Sequence, residues 1–440
     1  MFLVRTLAPL VSALTLAACA PSPGESLLVG QPGESGAVVG TMRDEPQTFN
    51  RLVALDSNSA LVAHLTQAGL VRINRTDDVV EPWLAESWVA DADRRTFTLT
   101  LRQDVTFSDG QPFSSADVLF SFEAVYDERV GSPVADSLMI DGAPIEVEAP
   151  DAATVVVRFP VPYSPGLRLL DGLPILPRHL LEPSLRAGTF REAWGLTASS
   201  DEMAGLGPFM LEAYLPGQRL VFARNPLYWR TDEAGVQLPY LDRITLEIVA
   251  DQNGEMLRLE TGDVDFISSG IRAQDYASLT RAAEAGTLQL FHLGTGLNAD
   301  FLAFNLRPAA MAGDPRQPWF QSLDWRLAVS HAVDRGGFSD TVYFGLAEPV
   351  FGPVTPGNLT WFAPDIPIFE FDLQRAQELL EGLGLADRDG DGWREDRDGQ
   401  PVRFTLLTQQ GNTNRERAAQ RSASGRDQCR HRATGLRVVD

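Results

Sequence analysis

The sequence predicts a mixed α/β fold, and two observations lead to this prediction. Segments in which apolar and polar residues alternate, as in half-buried strands, are interspersed with segments of helical period along most of the chain, which is typical of mixed α/β sheets. At 440 residues the chain is also long enough to form two lobes.

The first predicted elements are a strand over 37–42 ("AVVGTM") and a helix over 56–70. The helix follows a cluster of short polar residues whose side-chain oxygens can accept hydrogen bonds from the free amides of a first turn. We expect the cap to be Ser57, Asn58 or Ser59.

The next two elements have stronger local signals. Apolar and polar residues alternate through "TFTLTL" (96–101), which predicts a half-buried strand that ends at the turn Asp109–Gly110. A helix is predicted over 113–127, because Ser114 and Asp117 have the spacing of a capping box. Further strands are predicted over 153–159, 243–250 and 402–408, and further helices over 325–335 and 372–384.

The first eighteen residues have the layout of a secretory signal peptide, with Arg5 before an apolar stretch over 7–18. That stretch is shorter than the roughly 18–20 residues of a transmembrane helix. The run Leu16-Ala17-Ala18-Cys19 resembles a bacterial lipoprotein signal, in which the cysteine carries lipid. Residues 19–37 would then tether the protein to membrane lipid in the cell envelope, at the periplasmic or outer face of the cytoplasmic membrane. The alternative is an ordinary signal peptide with an incidental cysteine.

The last twenty residues (421–440) differ from the rest of the chain. They carry five Arg against two Asp, together with Cys429 and His431, and they have no apolar period. One interpretation is a basic tail. The other, which the break in composition favours, is a reading-frame change after about Gln420 that leaves the chain truncated.

Composition and motifs exclude several classes of protein. The formal net charge of −22 argues against a nucleic-acid partner, because phosphate binding needs clustered positive charge. Common hydrolase, metalloprotease and phosphate-loop motifs are not found. The histidines have no ligand spacing: His64, His179, His292, His331 and His431. We expect no enzymatic activity and no cofactor.

One acidic segment, residues 387–398, has the spacing of a calcium loop. Three candidate ligands occupy alternate positions, namely Asp387, Asp389 and Asp391, and a fourth, Asp398, is at the twelfth position of the loop. The alternative is a solvated acidic turn. We assign no metal to it, and a calcium ion there would have only a structural role.

A series of longer motifs begins with the run from Ala85 through "TFTLTLRQD" (96–104) to "FSDGQPF" (107–113). The others follow in order: "GLGPFMLEAYLPGQRLVFARNPLYW" (205–229), "PYLDRITLEI" (239–248), "LETGDVDFI" (259–267), "DWRLAVSHAVDR" (324–335) and "FDLQRAQELLEGLGL" (371–385). Together these motifs resemble the extracellular solute-binding proteins of family 5, which are the dipeptide-, oligopeptide- and nickel-binding components of ABC importers. The resemblance covers residues from about 38 to 420.

The resemblance implies the periplasmic-binding-protein fold, in which two lobes close around a solute that is then delivered to an ABC permease. The first lobe would span 38–300, with an inserted subdomain at about 75–190, and a partial second lobe would span 301–420. A peptide would be held largely through its main chain, as an added strand. The residues implied at the cleft are Asp56, Ser57, Asn58, Ser268, Ser269, Gly270 and Asn305. A plain cap or turn role is the alternative for each of them.

One part of the family pattern is missing. Peptide-binding members carry a Gly-Trp-x-x-Asp-Tyr-like segment whose Asp receives the amino terminus of the peptide, and this sequence contains no such segment. If the tail is the product of a reading-frame change, the second lobe is incomplete and has unpaired strand edges. We expect weak or absent ligand binding. The alternatives are a family member that binds nickel or an oligosaccharide, an envelope hydrolase, and a surface lipoprotein without a ligand. The lack of a His cluster disfavours nickel.

Overall fold

The computed structural model describes residues 36–404 apart from Ser269. Its strands are β1 Gly36–Met42, β2 Val71–Asn74, β3 Val79–Pro82, β4 Ala85–Ala90, β5 Thr96–Leu101, β6 Met139–Ile140, β7 Ala143–Pro144, β8 Glu146–Asp151, β9 Thr154–Arg158, β10 Phe209–Leu215, β11 Arg219–Arg224, β12 Leu241–Ile248 and β13 Phe266–Ile267. Its α-helices are α1 Ser57–Thr66, α2 Ser115–Tyr126, α3 Arg178–Ala187, α4 Gln252–Thr261, α5 Ala273–Glu284, α6 Gln317–Gln321, α7 Leu323–Ala332, α8 Arg335–Val342 and α9 Leu373–Gly382.

Several sequence predictions lie outside the described residues, namely those on Cys19, Ser269 and the tail 421–440. The strand predicted over 402–408 lies partly outside them, and its described part, 402–404, is not a strand. Within residues 36–404, no helix combines the length and the apolarity that crossing a membrane requires.

Five strands form one sheet in the order β10-β11-β12-β1-β13. β1 runs parallel to β12 and β13, whereas β10 and β11 pair antiparallel with their neighbours. The strands predicted over 37–42 and 243–250 are both confirmed in this sheet. Gly40 lies so close to the ring of Phe266 that a Cβ would come within 2.4 Å of it. Glycine therefore permits the close approach of β13 to β1.

A second, antiparallel sheet has the order β4-β5-β9-β8. The alternation in β5 is as predicted, with Phe97, Leu99 and Leu101 buried. The strand ends at Leu101, however, and the prediction that it continues to Asp109–Gly110 is wrong. The chain leaves the sheet there, and Thr106 and Pro112 form a separate bridge around that turn.

Helix α2 packs against the second sheet through contacts with β8 and β9. Its predicted capping box is confirmed: the Ser114 side chain accepts a hydrogen bond from the helix backbone, and the Asp117 side chain accepts one from the amide of Ser114. Asp117 is itself buried, so that the cap also fixes the start of the helix against the sheet.

Helix α1 forms within the predicted range but ends at Thr66, four residues before the predicted end, and its predicted caps are wrong. Asp56 is the cap, because its Oδ1 accepts a hydrogen bond from the amide of Ser59 at 2.8 Å. The hydroxyl of Ser59 instead accepts from the amides of Gln47 and Thr48, and Asn58 donates to the carbonyl of Asp44 at 2.8 Å. These side chains hold the loop after β1 against the helix.

The helix predicted over 325–335 is shorter at its carboxyl end. α7 ends at Ala332, Val333 is extended, and Asp334 caps α8 by accepting from the amide of Gly337 at 2.8 Å. The helix predicted over 372–384 is confirmed as α9, which packs against α7.

The buried apolar residues form two clusters. The larger spans both sheets, from Met42 to Leu246 in sequence, and the smaller surrounds Trp325 between α7 and α9. Residues 288–306, between these two parts of the chain, form neither strand nor helix. Phe291, Leu293 and Phe301 are 61%, 93% and 84% exposed there. The lobe boundary predicted at 300/301 falls in this segment and stays a prediction.

Candidate functional site

The candidate site lies at the carboxyl ends of β1, β12 and β13, which we call the carboxyl edge. These three strands run parallel, so their carboxyl ends meet at the same side of the sheet. In open sheets of parallel strands, ligands bind in the crevice outside this edge. The loop 43–48 leaves β1 here, and the chain leaves β13 here at Ser268.

A buried carboxylate organises the carboxyl edge. Glu255 of α4 is fully buried, and its Oε1 accepts a hydrogen bond from Thr41 Oγ1 at 2.8 Å. Its Oε2 accepts from Nε of Arg43 at 3.1 Å. The Arg43 side chain is 35% exposed, so it presents positive charge to solvent while a buried carboxylate holds it in place.

Arg43 also reaches the segment that follows β13. Its Nη2 donates to the carbonyl oxygen of Gly270 at 3.1 Å, and Nε2 of Gln252 donates to the same oxygen at 2.8 Å. Ser268 donates to the carbonyl of Thr41 through its amide, at 3.3 Å, and through its hydroxyl. The structure thus places Ser268 and Gly270 at the carboxyl edge, and their implied role at the cleft stays a prediction.

Of Asp56, Ser57 and Asn58, only Asn58 has a contact with the carboxyl edge among the described residues. Asn58 binds the carbonyl of Asp44, which follows Arg43 directly, and the Ser57 side chain is exposed. Asp56 uses Oδ1 as the helix cap, whereas its Oδ2 is buried with no hydrogen-bond partner among the described residues. Burial lowers the pKa of the neighbouring Arg51, and the negative charge of Asp56 opposes that shift.

Asn305 does not join this group. It is exposed, and its Oδ1 accepts a hydrogen bond from the amide of Arg307 at 3.1 Å, which is a local turn. Among the contacts of residues 36–404, none brings Asn305 to the carboxyl edge. Its implied position at the cleft stays a prediction.

Glu45 is a second anchor of the loop after β1. Its Oε1 accepts from the hydroxyl of Tyr214 at 2.7 Å and from the amide of Gly217 at 2.6 Å. Burial, together with the hydrogen bond to Glu45, raises the pKa of Tyr214 to about 12. The same hydrogen bond, with that from Gly217, lowers the pKa of Glu45. The loop is therefore fixed to the turn between β10 and β11.

Sequence reasoning missed Arg43, Glu255 and Gln252. Arg43 and Glu255 are separated by 212 residues, and no local pattern marks either of them. The charge run Arg43-Asp44-Glu45 directly after a buried strand is the one sequence signal that could have indicated them.

The acidic segment 387–398 forms a tight turn. Asp387 accepts from the amides of Gly390 and Gly392 at 2.8 and 3.0 Å. Asp387, Asp389 and Glu395 offer carboxylate oxygens within 4.8 Å of one another. Asp391 and Asp398 are not members of that group, and Asp391 instead accepts from the amide of Trp393. The calcium loop with Asp398 as its twelfth-position ligand stays a prediction.

Comparison with known families identifies one match. Residues 79–424 match the model of the bacterial extracellular solute-binding proteins, family 5. That range covers most of the chain and includes the motifs quoted above.

Individual proteins agree with the family match. A probable ABC transporter-binding protein of Deinococcus radiodurans is 30% identical over 379 residues, which cover 84% of this chain and 63% of that protein. The oligopeptide-binding protein AppA of Bacillus subtilis is 26% identical over 421 residues, which cover 92% of this chain and 70% of AppA. The chain thus spans less than two thirds of the length of the Deinococcus protein.

Solved structures show a similar fold. AppA from B. subtilis in complex with a nonapeptide superposes with a TM-score of 0.70 at 24% identity, covering 93% of this chain and 75% of AppA. MelB of Agrobacterium fabrum in complex with stachyose gives a TM-score of 0.71 at 23% identity, with coverages of 92% and 64%. NikZ from Campylobacter jejuni in complex with Ni(L-His) gives 0.67 at 21% identity, with coverages of 92% and 73%. The predicted two-lobe α/β fold is confirmed.

Proposed function

Because the chain belongs to the bacterial extracellular solute-binding proteins of family 5, we propose that it is the binding component of an ABC importer. It captures a peptide-like solute between two lobes and delivers it to a permease in the cytoplasmic membrane. The observation that carries this proposal is the carboxyl edge, where three segments distant in sequence meet beside the partly exposed Arg43.

Capture follows from differential binding. A solute at the carboxyl edge contacts the first lobe in the open form, and it contacts the second lobe only after closure. It therefore shifts the equilibrium toward the closed form by the affinity that the second set of contacts adds. A peptide main chain suits this edge, because the partly exposed, cationic Arg43 can match a negative charge and the amide of Asn58 can match a polar group. This mechanism involves no bond breaking, and we propose that the protein is not an enzyme.

Two other solutes are candidates, because the similar solved structures include complexes with stachyose and with Ni(L-His). Peptide is favoured over nickel, since no histidine belongs to a potential metal-binding group within the described part of the chain. It is favoured over an oligosaccharide by the charged groups at the carboxyl edge.

A thermal-shift screen tests the proposal. Peptides of two to nine residues, stachyose and nickel–histidine are each added at millimolar concentration, because the expected affinity for peptides is weak. A peptide at about ten times its Kd stabilises the folded state by about 1.4 kcal/mol, which raises Tm by about 3–6 °C for a lobe of this size. Arg43→Ala and Asn58→Ala should reduce the shift, whereas Arg281→Ala, on the exposed face of α5, should not.

Other outcomes of the screen decide against the proposal. If only stachyose or only nickel–histidine raised Tm, that solute would replace peptide in the proposal. Turnover of peptide or ester substrates by the purified protein would support the envelope hydrolase instead. No shift with any solute would contradict capture by this chain and favour a surface lipoprotein without a ligand.

We also propose that Cys19 is acylated and anchors the protein in the cell envelope. The run Leu16-Ala17-Ala18-Cys19 and the polar tether that follows support this, since several acyl chains hold a folded domain at a membrane without a spanning helix. Cells labelled with a radioactive fatty acid should incorporate it into the wild-type protein but not into Cys19→Ser. Cys429→Ser is the matched control, because it removes the other cysteine. Equal labelling of the wild type and Cys19→Ser would refute the anchor.

A further inference from the structure

Arginine and tryptophan side chains form a compact group that the candidate site does not use. We call it the basic-aromatic cluster, and it consists of Arg72, Trp83, Arg102, Trp229 and Arg230. The guanidinium carbons of Arg72 and Arg230 lie 4.9 and 4.2 Å from the ring centroid of Trp83. That of Arg102 lies 4.7 Å from the ring of Trp229, and the two indole rings meet edge to face at 5.4 Å.

The cluster holds three guanidinium groups, and that of Arg102 donates from Nε to the carbonyl oxygen of Trp83 at 2.7 Å. None of its three arginines takes part in an ion pair within the described part of the chain, although many other arginines do. Arg72 lies opposite Glu81 in the β2–β3 pairing, but Oε1 of Glu81 accepts from Asn74 Nδ2 at 2.8 Å. The indole Nε1 of Trp229 is buried without a hydrogen-bond partner among the described residues. Three guanidinium groups without an ion pair among the described residues are a high local concentration of positive charge in a protein of net charge −22.

The cluster lies toward the amino end of β1, away from the carboxyl edge. The carbonyl of Arg230 accepts from the amide of Leu238 at 2.9 Å. Leu241, three residues further on, pairs with Gly36, and three extended residues span at most about 11 Å. Met42, at the other end of β1, is about 20 Å from Gly36 at the rise of a parallel strand.

We propose that the basic-aromatic cluster is a membrane-contact surface for anionic phospholipid headgroups. Gly36 is the first residue that the structure describes, and it lies 17 residues after Cys19. A chain of 17 residues with random-coil dimensions has a root-mean-square span of about 20–25 Å. An anchor at Cys19 therefore keeps this end of β1 close to lipid. This proximity to lipid, together with the positive charge of the cluster, favours anionic phospholipid headgroups as the occupant.

The chemistry of the cluster suits this occupant. Arginine binds phosphate groups through paired N–H donors, and tryptophan prefers the interface between lipid and water. Leu227, two residues before Trp229, is 42% exposed and adds apolar surface. The acidic remainder of the protein repels such a surface only weakly, because charges beyond about 8–10 Å are screened at physiological salt.

This inference rests on the proposed anchor, but it is tested without it. The full chain carrying Cys19→Ser is incubated with vesicles of phosphatidylcholine alone, or of phosphatidylcholine and phosphatidylglycerol in equal amounts, and the bound fraction is sedimented. We expect preferential binding to the anionic vesicles, weakened by added salt. Each arginine at an anionic surface contributes about 5-fold in affinity, so Arg72→Gln/Arg230→Gln should lower that binding about 30-fold. The apolar N-terminal segment is common to all variants.

The matched control is Arg219→Gln/Arg281→Gln, which removes the same charge from two exposed positions outside the cluster and should leave binding unchanged. Arg72→Lys/Arg230→Lys keeps the charge and should retain binding, so it decides the case if the Gln variant unfolds. Equal binding to both vesicles, or an equal loss in the control, would overturn the proposal. Arginine-dependent binding to a permease but not to vesicles would assign the cluster to a protein partner and also overturn it. Labelling at Cys19 is measured separately, so failure of the anchor and failure of this surface are distinguishable.

Discussion

The substitution Glu255→Ala tests the organisation of the carboxyl edge. It leaves the hydroxyl of Thr41, which is fully buried, without its acceptor at 2.8 Å, and an unsatisfied buried donor costs about 1–3 kcal/mol. It also removes the ion pair with Arg43, whose side chain is 35% exposed. Water can solvate that guanidinium, so this loss adds only about 0–1 kcal/mol. The expected total is about 3 kcal/mol.

The assay is thermal and urea unfolding of the purified variant. A loss of about 3 kcal/mol corresponds to a fall in Tm of about 6–12 °C for a unit of 150–250 residues. Glu260→Ala is the matched control, because it makes the same substitution at an exposed position of the same helix, where about 0.5 kcal/mol or less is expected. If Glu255→Ala were as stable as Glu260→Ala, the buried carboxylate could not be what holds Thr41 and Arg43 together.

Three further predictions concern residues between 99 and 257. Burial raises the pKa of Asp117 above its usual 3.8, so ionisation of this carboxyl is harder in the folded state than in the unfolded state. The Tm of the wild type minus the Tm of Asp117→Asn should therefore fall as pH rises from 3.8 through the raised pKa. A difference that grows with pH would contradict this. Gly205→Ala places a Cβ 1.8 Å from the carbonyl oxygen of Thr66 and should lower the free energy of unfolding in urea by about 1–3 kcal/mol. Gly172→Ala has open space around the new Cβ and should not lower it. Equal stability of the two variants would show that the end of α1 can move away without cost. Leu99→Ala, in the centre of the second sheet, should lower the free energy of unfolding by about 2–5 kcal/mol. Leu257 is 61% exposed, so Leu257→Ala should lower it by about 0.5 kcal/mol or less. A larger loss for Leu257→Ala than for Leu99→Ala would refute the assigned core.

The sequence predicted those elements whose signals are local. The capping box of Ser114 and Asp117 lies within four residues, and the alternation through β5 reflects one buried face of a sheet. The ends of elements were less predictable. Ser59 has the chemistry of a cap, but its hydroxyl accepts hydrogen bonds from the loop after β1, and Asp56, three residues earlier, caps the helix instead. Which of several adjacent acceptors becomes the cap depends on tertiary contacts that no local pattern contains.

The candidate site was predictable only in part for the same reason. Asn58, Ser268 and Gly270 were placed by resemblance to a family, and the structure brings them to one edge. Glu255 was not found, because a single Glu in a helix of a strongly acidic chain has no distinguishing pattern. The basic-aromatic cluster was missed likewise, since its members are brought together from positions 72 to 230 only by the packing of distant segments.

The division of the buried apolar residues into two clusters has a thermodynamic consequence. Two cores that share no side chains, linked by a stretch without regular structure, can melt independently. Calorimetry of the solute-free protein should then record two heat-absorption peaks, and a single melting temperature would not define its stability. A solute that contacts both cores' parts of the chain would couple the two transitions. Merging of the two peaks on addition of a solute would therefore report its capture.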